Sequence, residues 1–269
     1  MKTLRAGLLG RPVAQSLSPR LHQAAGAALG VSVDYRLRDV TVDEVDRAMD
    51  AWRAEGLDGF NITAPHKAAA ARWVDRLDPM AARVGAVNTV VCKGTETIGF
   101  NTDVRAFAES IGNAPDRVVI LGAGGAIRAV VVALLDQGVS QIEVVNRSQK
   151  RAKALADDLA PALIKTYPLE SADDRIANAE LVINGLPAAA NEWVIDRFFG
   201  EMAPMGRVVD LGYGARVDRL KSAVTRVDRR FQDGLEMLAR QGIASFKRWT
   251  GIKPPLDPVL SALLSTVLD

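Results

Sequence analysis

The chain has 269 residues, 48% of them hydrophobic and 25% charged, with 34 Lys and Arg against 32 Asp and Glu, for a net charge of +2. That length suits two domains and the apolar share fills two cores, which excludes a disordered chain. Charges of both signs are scattered rather than banded, which argues against nucleic acid as a partner. Cys92 is the only cysteine and there are two histidines, too few for a disulfide framework or a metal site. No apolar run reaches the roughly 18 residues of a membrane span. Met1-Lys2-Thr3-Leu4-Arg5 leads straight into a strand without a signal-peptide apolar region, so a cytoplasmic protein is expected.

Short apolar β-like runs alternate with helical patterns, which predicts an α/β chain of two units, each a mainly parallel sheet covered by helices. The first unit opens with a strand at Leu4 to Leu9 and a helix from Ser18-Pro19 to Leu29. A strand at Asp34 to Leu37, a helix from Val42 to Glu55 and a strand at Gly59 to Thr63 follow. Pro65 and Lys67 open another helix, ending near Asp75. Alternation at Ala86 to Val91 and at Thr97 to Gly99 predicts a hairpin turned at Lys93-Gly94. A helix begins near Val104.

The second unit is the most informative. A strand at Val118 to Leu121 runs into Gly122-Ala123-Gly124-Gly125-Ala126 and a helix from Ile127 to Gln137. In that order the loop lets backbone N–H groups approach a pyrophosphate at a helix N-terminus. The next strand, Ile142 to Val145, ends in Asn146-Arg147-Ser148, with Lys150 and Arg151 one turn on. An NAD site places Asp or Glu there for the ribose 2′-OH; cations and a hydroxyl suit a 2′-phosphate instead, so the cofactor read here is NADP. Further strands fall at Leu181 to Asn184 and Arg207 to Asp210. Amphipathic helices at Leu235 to Gly251 and Asp257 to Leu268 return to brace the first unit, which implies a cleft between the two.

Ligands of open α/β sheets sit beyond the carboxyl ends of strands, and five polar segments of this chain fall there. They are Ser16-Leu17-Ser18-Pro19, Asn61 through Lys67, Gly85-Ala86-Val87-Asn88-Thr89, Gly99 through Asp103, and Asp233-Gly234 through Gln241. Together with Gly122 to Arg151 they resemble, in order and over the whole chain, the segments of the shikimate dehydrogenase family. The resemblance implies a substrate-binding domain of residues 1–104 and 235–269 and a Rossmann-like NADP domain of residues 105–234. It implies reversible reduction of 3-dehydroshikimate to shikimate, a step of aromatic amino acid biosynthesis, on a small-molecule substrate by a monomer or homodimer.

The resemblance also assigns roles. Ser16 and Ser18 match the hydroxyls that hold the substrate carboxylate; Thr63, Asn88 and Gln241 match groups that hydrogen-bond the ring hydroxyls. Lys67 and Asp103 match the catalytic pair, and Tyr213 a tyrosine near the nicotinamide and the substrate. Gly122, Ala123, Gly124, Gly125, Ala126, Asn146, Arg147, Ser148 and Arg151 match the coenzyme site. A lysine of ordinary pKa, about 10.4, is a poor proton acceptor unless its surroundings lower it, whereas a neighbouring carboxylate raises it. Several positions depart from the family pattern: Val104 follows Asn-Thr-Asp in place of glycine, Gly185-Leu186-Pro187-Ala188 replaces an Ala-Thr turn ending in Gly-Met, and Gly214-Ala215 follows Tyr213 in place of Asn-Pro. These leave open quinate or an aminoshikimate as substrate, or a non-catalytic NADP sensor, although the sensor has no need of Lys67 and Asp103.

Other readings compete for some residues. Ser18 before Pro19 reads as an N-cap, and Asp103 as a cap of the helix near Val104. His22 reads as a satisfied, partly buried side chain, and His66 stands where the family more often has an apolar aromatic. Trp52, Trp73, Trp193 and Trp249 read as packing, and Cys92 as a small apolar residue in a strand.

Overall fold

The computed structural model describes residues 3–177, 179–198 and 206–268. It divides into two compact units: the chain up to Ala106 together with the segment from Met237 onward, and Phe107–Glu236.

In the first unit the order is β1 (Leu4–Gly10), α1 (Ser18–Leu29), β2 (Val33–Asp39), α2 (Val45–Ala54), β3 (Gly59–Ile62), α3 (Lys67–Trp73), β4 (Arg76–Leu77), α4 (Pro79–Val84), β5 (Thr89–Lys93), β6 (Glu96–Phe100) and the start of α5 (Asp103–Ile111). The strands form one six-stranded sheet in the order β2-β1-β3-β5-β6-β4. β1 runs parallel to β2 and β3, whereas β5 is antiparallel to both β3 and β6. One face carries a core of Leu9, Met49, Trp52, Phe60, Ile62, Ala70, Val87 and Val90, all buried.

In the second unit β7 (Arg117–Leu121), α6 (Gly125–Asp136), β8 (Gln141–Val145), α7 (Gln149–Leu159), β9 (Ile164–Tyr167), α8 (Ala172–Ala177), β10 (Leu181–Asn184), α9 (Asn191–Phe198), β11 (Arg207–Asp210), α10 (Asp218–Arg226) and β12 (Arg230–Gln232) make a six-stranded sheet, order β12-β11-β10-β7-β8-β9, parallel throughout. Val119, Leu121, Val145, Val182 and Val208 pack with Ile176, Val194 and Leu220 of α8, α9 and α10. Their strand neighbours Val118, Ile120, Ile142, Val144, Leu181 and Ile183 are also fully buried, as strands covered on both faces require. The strand order reverses at β7, which places the end of that strand and of β10 at the switch point where such folds take their ligands.

The chain then enters α11 (Leu235–Thr250) and α12 (Leu256–Leu268). These return to the first unit as expected. Trp249 donates from Nε1 to the Val90 carbonyl at 2.9 Å, and Phe246, Val259 and Leu263 are completely buried. Among the described residues no helix is long and apolar enough to cross a membrane.

One expectation needs correcting, and two features of the fold go beyond the sequence reading. The helix predicted from Val42 starts at Val45, because Thr41 donates from both its N–H and its hydroxyl to Glu44, closing a separate turn that leaves Val42 exposed. The first sheet is mixed, since the β5–β6 hairpin is inserted beside β3. The short strands β4, β9 and β12 and the helix α4 were not read from the sequence; two to four residues at a sheet edge carry too little periodicity to stand out.

Candidate active site

The antiparallel β5 is what assembles the site. In register, Asn61 of β3 lies beside Thr89 of β5, and Thr89 beside Phe100 of β6. The amino end of β5 therefore shares one edge of the sheet with the carboxyl ends of β3 and β6. Asn88, preceding β5, thus comes to lie with Thr63, following β3, and Asp103, following β6.

Lys67 is the first residue of α3 and Asp103 the first of α5. Lys67 Nζ lies 2.6 Å from Asp103 Oδ2, with side chains 11% and 5% exposed. The other carboxylate oxygen, Oδ1, accepts the Asn88 Nδ2 N–H at 2.7 Å, while Asn101 Oδ1 accepts the N–H of Asp103 at 3.1 Å. Both carboxylate oxygens of Asp103 thus meet donors of the site. Asn88 is itself buried and saturated. Its Nδ2 also donates to Thr102 Oγ1 at 2.9 Å, and its Oδ1 accepts from the Thr102 N–H at 2.9 Å and the Thr89 hydroxyl at 3.0 Å. A ring hydroxyl reaches Asn88 only by exchanging with one of these partners or with the 3.5 Å contact to Gln241 Oε1.

Ser16 and Ser18 lie together, hydroxyl to hydroxyl at 3.1 Å, with Ser16 Oγ also accepting the Ser18 N–H at 3.2 Å. Ser18 is not the cap of α1: the cap position is Leu17, and Ser18 already lies in the first turn, so its buried hydroxyl is not spent on the helix backbone. Thr63 is half-buried, its N–H on the Leu9 carbonyl. Gln241, on α11, donates to the Leu238 carbonyl at 2.9 Å.

Asn61, given no role from the sequence alone, is the hub behind this edge. It donates to the Asn88 carbonyl, Thr89 Oγ1 and Ser245 Oγ, and its Oδ1 accepts from Tyr35 at 2.8 Å and His22 Nε2 at 3.3 Å. An asparagine between two apolar residues of a buried strand was the available signal. His22 departs from expectation: it is fully buried, stacked on Tyr35 at 4.4 Å, and its Nδ1 has no hydrogen-bond partner. Burial lowers its pKa to about 3, only partly opposed by the bond to Asn61, so the ring is neutral with its proton on Nε2. His66 is likewise buried and donates from Nε2 to the Val40 carbonyl at 2.8 Å, which makes it structural.

In the second unit Gly122 follows β7 with φ +110°, a conformation that favours glycine, and its N–H binds the Val145 carbonyl. A side chain on Gly122 would meet the Gly185 backbone at 3.2 Å, whereas one on Gly124 would meet nothing within 4 Å. The first N–H groups of α6 have no side-chain cap. Open space in front of an uncapped, twelve-residue helix fits a pyrophosphate, with Ala123, Gly125 and Ala126 part-exposed beside it. Asn146 Nδ2 donates to the Ser148 carbonyl at 2.9 Å, and Ser148 caps α7 by accepting the Arg151 N–H at 3.4 Å. Arg147, Lys150 and Arg151 are exposed, and no carboxylate occupies the end of β8. These residues fit a 2′-phosphate. Tyr213 is half-buried and precedes a short 3-10 turn at Gly214–Arg216.

Residues 8–90, 106–224 and 234–264 match, in turn, the family descriptions shikimate dehydrogenase substrate binding domain, shikimate / quinate 5-dehydrogenase, and shikimate 5′-dehydrogenase C-terminal domain. The chain is 37% identical over 275 residues to the shikimate dehydrogenase (NADP(+)) of Symbiobacterium thermophilum, covering 97% of this chain and 94% of the relative. The chain belongs to the shikimate dehydrogenase family. Among solved members, the shikimate 5-dehydrogenase of Thermus thermophilus in complex with NADP(H) and shikimate superposes with a TM-score of 0.79 at 32% identity, over 98% of this chain and 99% of that one. The quinate dehydrogenase of Corynebacterium glutamicum in complex with NAD gives 0.82 at 29% identity, over 98% and 99%. The positions expected from the sequence to depart from the family pattern, Gly185–Ala188 and Gly214-Ala215, follow β10 and β11, and Val104 is buried in α5.

Proposed function

We propose that this chain is an NADP-dependent shikimate dehydrogenase, which interconverts 3-dehydroshikimate and shikimate in aromatic amino acid biosynthesis. The observation that carries the reading is the Lys67–Asp103 pair at 2.6 Å, withdrawn from water and backed by Asn88. A coenzyme-binding sensor would have no use for a buried ion pair whose members open two separate helices at one sheet edge.

NADP(H), when bound, supplies the hydride chemistry. The chain supplies position and the proton. Ser16 and Ser18 hold the substrate carboxylate, and Thr63, Gln241 and Asn88 read the ring hydroxyls. In the reducing direction Lys67 delivers a proton to the oxygen that becomes the alcohol; in the oxidising direction it takes that proton back. Asp103 holds the ammonium of Lys67 and accepts from the same hydroxyl. Residues 1–104 and 235–269 form the substrate domain in this reading, and residues 105–234 the NADP domain, with Tyr213 at its nicotinamide end. Arg147, Ser148 and Arg151 take the 2′-phosphate. The enzyme is assigned to the cytoplasm and acts as a monomer or homodimer.

The likeness to a quinate dehydrogenase makes quinate the second substrate to test, since one ring substituent is read by only a few contacts. Steady-state rates of the purified protein with shikimate and with quinate, each with NADP and NAD, test the reading. The highest kcat/KM is expected for shikimate with NADP. A higher value for quinate replaces the substrate, and no turnover with NADPH bound replaces the enzyme by a sensor.

A further inference from the structure

Asn184 and Asp210 end β10 and β11, adjacent parallel strands in which they lie directly beside one another. Both are buried, 1% and 4% exposed, each preceded by a buried apolar residue, Ile183 and Val209. Asn184 Nδ2 donates to Asp210 Oδ2 at 2.6 Å. Each remaining oxygen then closes its own turn: Asn184 Oδ1 accepts the Leu186 N–H at 3.2 Å, and Asp210 Oδ1 accepts the Gly212 N–H at 2.6 Å. Backbone bonds tie the two turns to the rest of the edge. The Gly185 N–H binds the Leu121 carbonyl, the Leu211 N–H binds the Asn184 carbonyl, and the Gly234 N–H binds the Gly212 carbonyl at 2.7 Å.

The turn after β10 is the floor of the glycine loop. A side chain on Gly122 would meet Gly185 at 3.2 Å, and one on Gly185 would meet Ile127 of α6 at 2.3 Å. The turn after β11 carries Tyr213. A buried carboxylate is costly unless its oxygens are bonded, and burial indeed raises the affinity of Asp210 for a proton, against the pull of the Gly212 and Asn184 donors. A carboxylate at this place calls for a use.

We infer that Asn184 and Asp210 are a pair of positioning residues that fix the turn at 185–187 beneath the glycine loop and the turn at 211–213 that carries Tyr213, and so set coenzyme affinity and orientation. This rests on the reading of the second unit as the NADP domain. Neither residue touches substrate in this role; each acts through the turn it holds.

The chemistry makes the pair exchangeable. Asp210→Asn alone puts an amide N–H against either Asn184 Nδ2 or the Gly212 N–H, donor against donor. Asn184→Asp alone sets two buried carboxylates side by side. The exchange Asn184→Asp with Asp210→Asn restores every bond, because the amide, now at position 210, donates to the carboxylate, now at position 184, while the oxygens facing Leu186 and Gly212 are unchanged. The test is the NADPH dissociation constant by fluorescence titration for wild type, both single variants and the exchange, alongside kcat and KM for shikimate. Each single variant is expected to bind NADPH about tenfold or more weaker, with KM for shikimate changed less than about twofold, and the exchange to recover to within about threefold of wild type. A single variant that folds with unchanged NADPH affinity and kcat overturns the inference. So does an exchange variant that fails to fold, or that folds and binds no better than the worse single. If both single variants fail to fold, the exchange alone decides in the same way. Wild-type protein that binds NADPH but turns over no substrate removes the proposed reaction and leaves this inference standing.

Discussion

At 2.6 Å, Lys67 and Asp103 hold each other where neither is well solvated, so the catalytic role proposed for the pair must be separated from its role in stability. Removing one member of a buried pair leaves an uncompensated charge, at a cost of about 3–5 kcal/mol. Lys67→Met should therefore lower the melting temperature and also cut kcat by roughly 10²–10⁴-fold, with KM for shikimate little changed. Asp103→Asn should lower kcat as well. Combining Lys67→Met with Asp103→Asn should recover stability, because the orphaned charge is gone, without recovering kcat. A double variant with activity as well as stability restored would make the pair structural. Ser18 separates the same two effects more simply. Since Ser18 lies inside α1 and does not cap it, Ser18→Ala should raise KM for shikimate without shifting the melting temperature or NADPH affinity. A lowered melting temperature at unchanged KM would remove Ser18 from the carboxylate site.

At the scale of elements, the proposed reading puts coenzyme choice at the end of β8 and the first turn of α7. Ser148 caps that helix, Asn146 braces the turn, and the guanidinium groups of Arg147 and Arg151 remain exposed. Arg147→Ala should raise KM for NADP by about tenfold or more and leave that for NAD within about twofold, because only a 2′-phosphate offers Arg147 a partner for charge-assisted bonds. Equal losses for both coenzymes, read from the two KM values, would remove Arg147 from the phosphate site. This element was legible from the sequence because its signal is local: a strand, a glycine-rich turn, a helix and a basic strand end within about thirty residues. Asn61 was not legible in the same way. Its partners Tyr35, Asn88, Thr89 and Ser245 are spread over the chain, and only the pairing of β3 with β5 and the return of α11 bring them together. The Asn184–Asp210 contact was likewise hidden, since it needs β10 and β11 in register.

For the molecule as a whole, His22 links the fold to pH. Its folded-state pKa of about 3 lies below its ordinary value of 6.5, so the neutral ring contributes stability that is fully present above pH 6.5 and is lost as pH falls towards 3. Between pH 7 and pH 4.5 the loss from this one group is on the order of 2–3 kcal/mol. Urea unfolding at both pH values should show a smaller difference for His22→Phe than for wild type, by roughly that amount. An identical difference in the two proteins would mean that His22 takes no part in acid unfolding.

The amino-acid sequence determined whatever depends on neighbours along the chain: the alternation of strands and helices, the glycine loop with its basic strand end, and the helix-opening positions of Lys67 and Asp103. Periodicity and turn chemistry are local, and one sequence suffices to read them. The tertiary structure decided what depends on partners far apart. It turned β5 antiparallel and so brought Asn88 onto the carboxylate that Lys67 also binds. It also saturated Asn88 with inward bonds, buried His22 with one nitrogen unpaired, and paired Asn184 with Asp210. A buried polar side chain takes its meaning from whichever donors and acceptors packing brings to it, and that choice is made only when the sheet closes.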